Sequence, residues 1–176
     1  MIFTPLPLEG AFLIAPEPRH DARGFFARTW CQREFEERGL THRLVQCSLS
    51  FNKRKGTLRG MHYQASPRAE SKLVRCTRGS IFDVIIDLRP GSATFKVHAA
   101  VVLTEDDHQM LYVPEGFAHG FQTLAENTEV FYQMSEFHTP ELSRGVRWND
   151  PAFGIQWPPG ERVMSERDRV YPDFAD

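Results

Sequence analysis

Residues 71–124, "SKLVRCTRGSIFDVIIDLRPGSATFKVHAAVVLTEDDHQMLYVPEGFAHGFQTL", decide the fold. Runs rich in β-branched and aromatic residues, "SKLVRCT" (71–77), "SIFDVIIDL" (80–88), "FKVHAAVVLT" (95–104), "QMLYVP" (109–114) and "HGFQTL" (119–124), are cut by the turn signals "TRGS", "RPGSAT", "TEDD" and "PEGF". Short strands at this spacing predict an antiparallel sandwich or barrel. The same texture extends outward through "GAFLIA" (10–15), "FFARTW" (25–30), "VQCSLSF" (45–51), "TLRGMHYQ" (57–64) and "TEVFYQMSEF" (128–137). Only "QREFEERGL" (32–40) reads as a helix, with Gly39 as its stop. The Pro/Gly-rich "WNDPAFGIQWPPGE" predicts loops packed on the barrel, and "SERDRVYPDF" a short turn or helix. With 176 residues and no linker or repeat, the chain is expected to form one domain, residues 1–176.

Charge and cysteine usage exclude several roles. A net charge of −2 gives no electrostatic footprint for nucleic acid. No apolar run approaches the roughly 18 residues of a membrane span, and the start lacks the basic region of a signal peptide. Cys31, Cys47 and Cys76 are odd in number and contain no CxxC, which points to a reducing cytoplasm rather than a disulfide framework or a zinc site.

Strand parity sorts the chemistry-bearing residues. Ile81, Asp83, Ile85 and Asp87 share one face of their strand. Lys72 shares a face with Val74 and Cys76, which reads either as a functional cation or as a lysine snorkelling from a strand end. Leu58, Gly60, His62 and Gln64 share a face, and Gly60 is placed to form a bulge that turns Arg59 toward the same side. From the residues alone His62 reads as structural or catalytic, and Tyr132 as a core tyrosine or a proton donor. In "YVPEGFAHGF" (112–121) a P-x-G-x-x-H turn delivers His119 onto the next strand.

That turn resembles the second motif of the cupin superfamily, whose barrels often hold a metal. The first metal motif is incomplete here, because the matching place reads His62-Tyr63-Gln64 with no carboxylate partner, so no metal is expected. Taken in order, "DARGFFART", "LRGMHYQ", "KLVRC", "FDVIIDLRPGSATF", "LYVPEGFAHGF", "VFYQMSEF", "RWNDPAFGIQWP" and "SERD" resemble the dTDP-4-dehydrorhamnose 3,5-epimerase family across most of the chain. The resemblance implies an all-β, cupin-type antiparallel jelly-roll barrel with short peripheral helices, assembled as a homodimer with exchanged N-terminal strands. It implies epimerisation of a nucleotide-linked 4-keto-6-deoxyhexose at C3 and/or C5, without metal or organic cofactor. The matching catalytic residues are His62 as base, Asp168 as its orienting partner, Lys72 as enolate stabiliser and Tyr132 as proton donor. Arg23, Arg28, Gln46, Ser48, Arg59, His119, His138, Ser143 and Arg167 match positions that bind the substrate.

Departures fall on the nucleotide side. Arg28 stands where the family usually has glutamate, Ser48 near an asparagine, His138 at an aromatic position and Ser143 at a glutamate; Arg167 replaces a common lysine. The expectation is therefore that dTDP is not the preferred nucleotide. A keto-sugar isomerase or dehydratase of the cupin superfamily, and a non-enzymatic sugar-binding or metal-dependent cupin, are the alternative readings.

Overall fold

A computed structural model describes residues 1–175. In chain order the strands are β1 Ile2–Pro5, β2 Phe12–Ala15, β3 Arg19–Asp21, β4 Gly24–Phe26, β5 Gln46–Asn52, β6 Leu58–Gln64, β7 Lys72–Arg78, β8 Ser80–Asp87, β9 His98–Thr104, β10 Met110–Val113, β11 Phe117–Thr123, β12 Thr128–Met134 and β13 Ser143–Gly145. Helix α1 spans Gln32–Glu36 and α2 spans Glu166–Arg169. Two antiparallel sheets, ordered β1-β2-β10-β7-β12-β5 and β13-β6-β11-β8-β9, face each other as a cupin-type jelly roll. A separate two-stranded hairpin, β3–β4, stands apart from both.

Alternation along the strands builds the core. Val74, Cys76 and Val130 from the six-stranded sheet pack against Ile81, Ile85, Phe117 and Phe121 from the five-stranded one. The outward residues of the five-stranded sheet, Val84 and Ile86, are covered by Phe153 and Trp157 of the C-terminal loops, as the sequence led us to expect. At 25 cal/mol per Å², burying one such side chain contributes about 2 kcal/mol.

Along β5, β12 and β7 the inward face changes character. Ser50, Val130 and Cys76 form one cross-strand row, Ser48, Tyr132 and Val74 the next, and Gln46, Met134 and Lys72 the last. One sheet face thus runs from apolar core to polar cavity within a few residues, which is how a barrel closes one end and leaves the other open to ligand.

Several boundaries differ from expectation: β9 starts at His98 because Phe95 and Lys96 lie in a turn, α1 ends at Glu36, β12 ends at Met134, and β3 is an additional strand. "FFARTW" is extended only to Phe26; beyond it the chain leaves the hairpin and passes through Arg28 and Trp30 to α1. The first strand, β1, was not anticipated, because "IFTP" is too short and proline-bounded to show a period; it is held by pairing with β2. The same applies to β13, whose three residues are extended through their ladder to β6.

Candidate active site

The polar end of the barrel holds a cavity of about 540 Å³, within the usual range for a small-molecule site. His62, Lys72, Tyr132, Gln46, Ser48, His138, Ser143 and Arg167 all line it. His62 comes from β6 of one sheet, whereas Lys72 and Tyr132 come from β7 and β12 of the other.

A bulge places His62. His119 pairs with His62 and Phe121 with Arg59, so β6 has one residue more than β11 between the two pairs. Gly60 makes this possible: its φ is +126°, and a Cβ there would lie 2.5 Å from the Gly120 Cα. The Gly60 bulge foreseen in the sequence is present, and Arg59 emerges on a second opening of about 450 Å³ that shares His62 and Arg167 with the first and reaches Asp168. Arg59 is steadied there by Nε donating to Asn52 Oδ1 at 2.7 Å.

Asp168, on α2, closes on His62: Nε2 and Oδ1 are 2.7 Å apart. The Asp168 carboxylate is buried, which opposes its charge, yet hydrogen bonds from His62, the Gly60 N–H and the Ser165 hydroxyl region hold its pKa below the ordinary aspartate value. Ser165 caps α2 by accepting from the Asp168 N–H, which fixes the carboxylate's approach.

Lys72 opens β7 with its side chain 12% exposed, paired to Glu70 at 3.2 Å and directed at the His62 carbonyl oxygen. Glu70 precedes the strand, where parity does not reach, and no sequence signal marks it. Burial pushes the Tyr132 phenol far above its ordinary value, and the Asp83 carboxylate adds to this while Arg59 opposes it. Tyr132 therefore keeps its proton at neutral pH.

His119 does not line the cavity as expected. It lies beneath it, 4% exposed, with Nε2 2.6 Å from Asp83 Oδ1, and its ring meets Tyr132 edge to face at 6.0 Å. Parity had placed Asp83 among apolar neighbours, and its partnership with His119 is the reason. Arg23 and Arg28 also stand away from the cavity. Arg23 is on the exposed β3–β4 turn, paired with Asp21, and Arg28 pairs with Glu34 of α1. Gln46 accepts from the His138 N–H, and Arg167 donates to the Ser143 hydroxyl at 3.0 Å, so the mouth of the cavity is tied across. Among the described residues no group of three His, Cys, Asp or Glu side chains is placed to hold a metal.

A jelly roll with this polar, one-ended cavity is the architecture of the cupin class. The family model for dTDP-4-dehydrorhamnose 3,5-epimerase matches residues 5–176, and the chain belongs to that family of isomerases. It is similar to the dTDP-4-dehydrorhamnose 3,5-epimerase of Sinorhizobium fredii, 39% identical over 100% of this chain and 91% of the relative. The crystal structure of the enzyme of that name from Elizabethkingia anophelis superposes with a TM-score of 0.96 at 36% identity, covering 99% of this chain and 96% of the other. An epimerase from Legionella pneumophila, solved in complex with dTDP-4-keto-L-rhamnose, gives 0.88 at 36% identity over 95% and 89% of the two chains.

Proposed function

We propose that this single-domain protein epimerises a nucleoside-diphosphate 4-keto-6-deoxyhexose at C3 and/or C5 by proton abstraction and return, using side chains alone. The observation that carries this reading is the placement of His62 with Asp168 on one wall of the cavity, and of Lys72 and Tyr132 on the opposite sheet. His62 takes the proton α to the ketone, and the C–H electron pair moves into the enolate. Lys72 stabilises the charge that develops on O4, which a compact cation in a half-buried site does well. Asp168 fixes the imidazole tautomer and stabilises the imidazolium. Tyr132, still protonated, returns a proton from the other face, and the carbon is inverted. Each positioned acid or base contributes on the order of 10²–10⁴ in rate.

The hairpin favours a homodimer with exchanged N-terminal strands. Phe25 and Phe26 on β4 are 47% and 78% exposed, and Leu49 and Phe51 on the edge strand β5 are 58% and 45% exposed. A second copy that covers these faces would bring Arg23 and Arg28 to a cavity they do not reach in their own chain; light scattering reads the assembly directly, and a monomer counts against it. Three free thiols are in keeping with a cytoplasmic enzyme.

Deuterium incorporation from heavy water into nucleotide-linked 4-keto sugars tests the chemistry. His62→Ala should abolish it, whereas Tyr132→Phe should still exchange protons but lose inversion. Exchange at the wild-type rate in His62→Ala would remove His62 as the base. Calorimetry with dTDP, UDP, CDP and GDP tests the nucleotide. In a dimer of that kind Arg28 would present a donor, and Ser143 a short neutral side chain, to the nucleotide, which in the Legionella relative's complex is dTDP. Mismatched polar groups cost about 1–3 kcal/mol. We expect dTDP not to bind tightest; a tenfold preference for it would return this chain to the nucleotide of its relatives.

A further inference from the structure

Beyond Asp168 the chain does not leave the site. It turns so that the Tyr171 ring meets the His62 ring edge to face, with centroids 6.2 Å apart and planes at 67°. Gly145, the cross-strand partner of His62 on β13, makes the room: a Cβ there would fall 2.3 Å from Tyr171 Cζ. The Arg167 guanidinium lies 5.8 Å from the same ring. Further on, Phe174 packs on Phe95 and Phe153, its N–H donates to Asp150 Oδ2 at 2.5 Å, and Asp173 pairs with Arg147. Tyr171 is therefore held between two anchors, Asp168 on His62 and Phe174 on the barrel.

Among the described residues the buried Tyr171 hydroxyl has no hydrogen-bond partner, and the contact with His62 is made by the ring. The His62 side chain, for its part, makes one hydrogen bond among the described residues, through Nε2. One hydrogen bond fixes one nitrogen and leaves the imidazole free to swing about that axis. A flat ring set against it removes the swing.

We propose that Tyr171 is a positioning residue for His62: it fixes the plane of the imidazole so that the nitrogen not engaged by Asp168 faces the cavity. This rests on the reading of His62 as the base. Three variants of the full chain test it by substrate proton exchange in heavy water and by ¹⁵N NMR of the His62 ring. Tyr171→Leu fills the volume without a flat face, and Tyr171→Met does the same if the branched side chain disturbs folding. Either should lower kcat for exchange roughly three- to tenfold with KM unchanged, the scale of one edge-to-face contact. Either should also shift and broaden the His62 ring ¹⁵N signals, because the ring plane is no longer fixed while Asp168 still sets the tautomer. Tyr171→Phe should restore the rate to within about twofold of wild type, since it keeps the ring.

Wild-type exchange and unchanged ring signals in Tyr171→Leu and Tyr171→Met would overturn the proposal. So would a Tyr171→Phe as impaired as these two, because the hydroxyl would then be the active part. Failure of the base reading is told apart by His62→Ala: it would exchange as wild type, whereas the ring signals report the packing role without reference to turnover.

Discussion

Two histidine–aspartate couples stand side by side in this barrel, on strands that pair His62 directly with His119. Their hydrogen bonds are nearly equal in length, 2.7 Å for His62–Asp168 and 2.6 Å for His119–Asp83. Their surroundings are not equal. The His62 side chain is 39% exposed and the His119 side chain 4%, while both carboxylates are buried. The partner's origin differs as well: Asp168 comes from a short helix 106 residues away in sequence, Asp83 from the adjacent strand β8. An exposed imidazole on a buried carboxylate can exchange a proton with a ligand. A buried imidazole on a buried carboxylate is a wall, and this one backs Tyr132. Equal geometry thus supports different work, and access to the cavity makes the difference.

The largest expected effect separates the couples by rate. Asp168→Asn should leave the chain folded and lower substrate proton exchange by about two to four decades, because the amide no longer sets the imidazole tautomer. Asp83→Asn should lower exchange per folded molecule far less. Equal rate losses in the two variants would erase the distinction drawn between them.

Stability should show the opposite order. Asp83 is fully buried, and one of its oxygens already lacks a hydrogen-bond partner. An amide in its place weakens the one hydrogen bond to His119 and adds a buried NH2 group, a mismatch that costs about 1–3 kcal/mol. Urea unfolding should therefore show a much lower midpoint for Asp83→Asn than for Asp168→Asn, with the slope unchanged. A similar midpoint for both would mean that the buried couple is no more structural than the exposed one.

How far each couple was legible follows from where its members lie. The fold was readable because alternation and turn chemistry act within a few residues: β5 to β8 fall within a residue of the expected runs, whereas "FKVHAAVVLT" and "TEVFYQMSEF" each overrun their strand by three residues, and Gly60 announced its bulge. Parity reached Lys72 and placed Asp83 on an apolar face, but parity has no way to pair Asp83 with a histidine on another strand. The link from His62 to Asp168 came from family resemblance, since nothing local connects residues that far apart. Tyr171 carried no signal at all, because its position depends on a tail anchored at Phe174. Arg23 on the hairpin and Arg28 beyond it match substrate-binding positions of the family, yet within one chain they pair with Asp21 and Glu34 and stand away from the cavity.

The smallest effect concerns acid. Asp168 has its folded-state pKa held below the ordinary value, against the opposing pull of burial, by His62, Gly60 and Ser165. A carboxylate of this kind contributes stability that is fully present above its unfolded value, near 3.9, and is lost as pH falls through its lower folded value. Asp168→Asn has no such proton to bind. Through this carboxylate, the stability difference between wild type and Asp168→Asn should then narrow below about pH 5. Asp87 supplies the contrast outside the site. It is buried too, which opposes its charge, but Arg89, Ser92 and Thr94 all donate to it and depress its pKa much further. Its contribution should persist to lower pH than that of Asp168, so Asp87→Asn should narrow its own gap to wild type later in the same acid titration. Chemical unfolding followed from pH 7 to pH 3 reads both curves. A gap for Asp168→Asn that does not narrow between pH 5 and pH 3 would show that the carboxylate is held by something other than its charged hydrogen bonds.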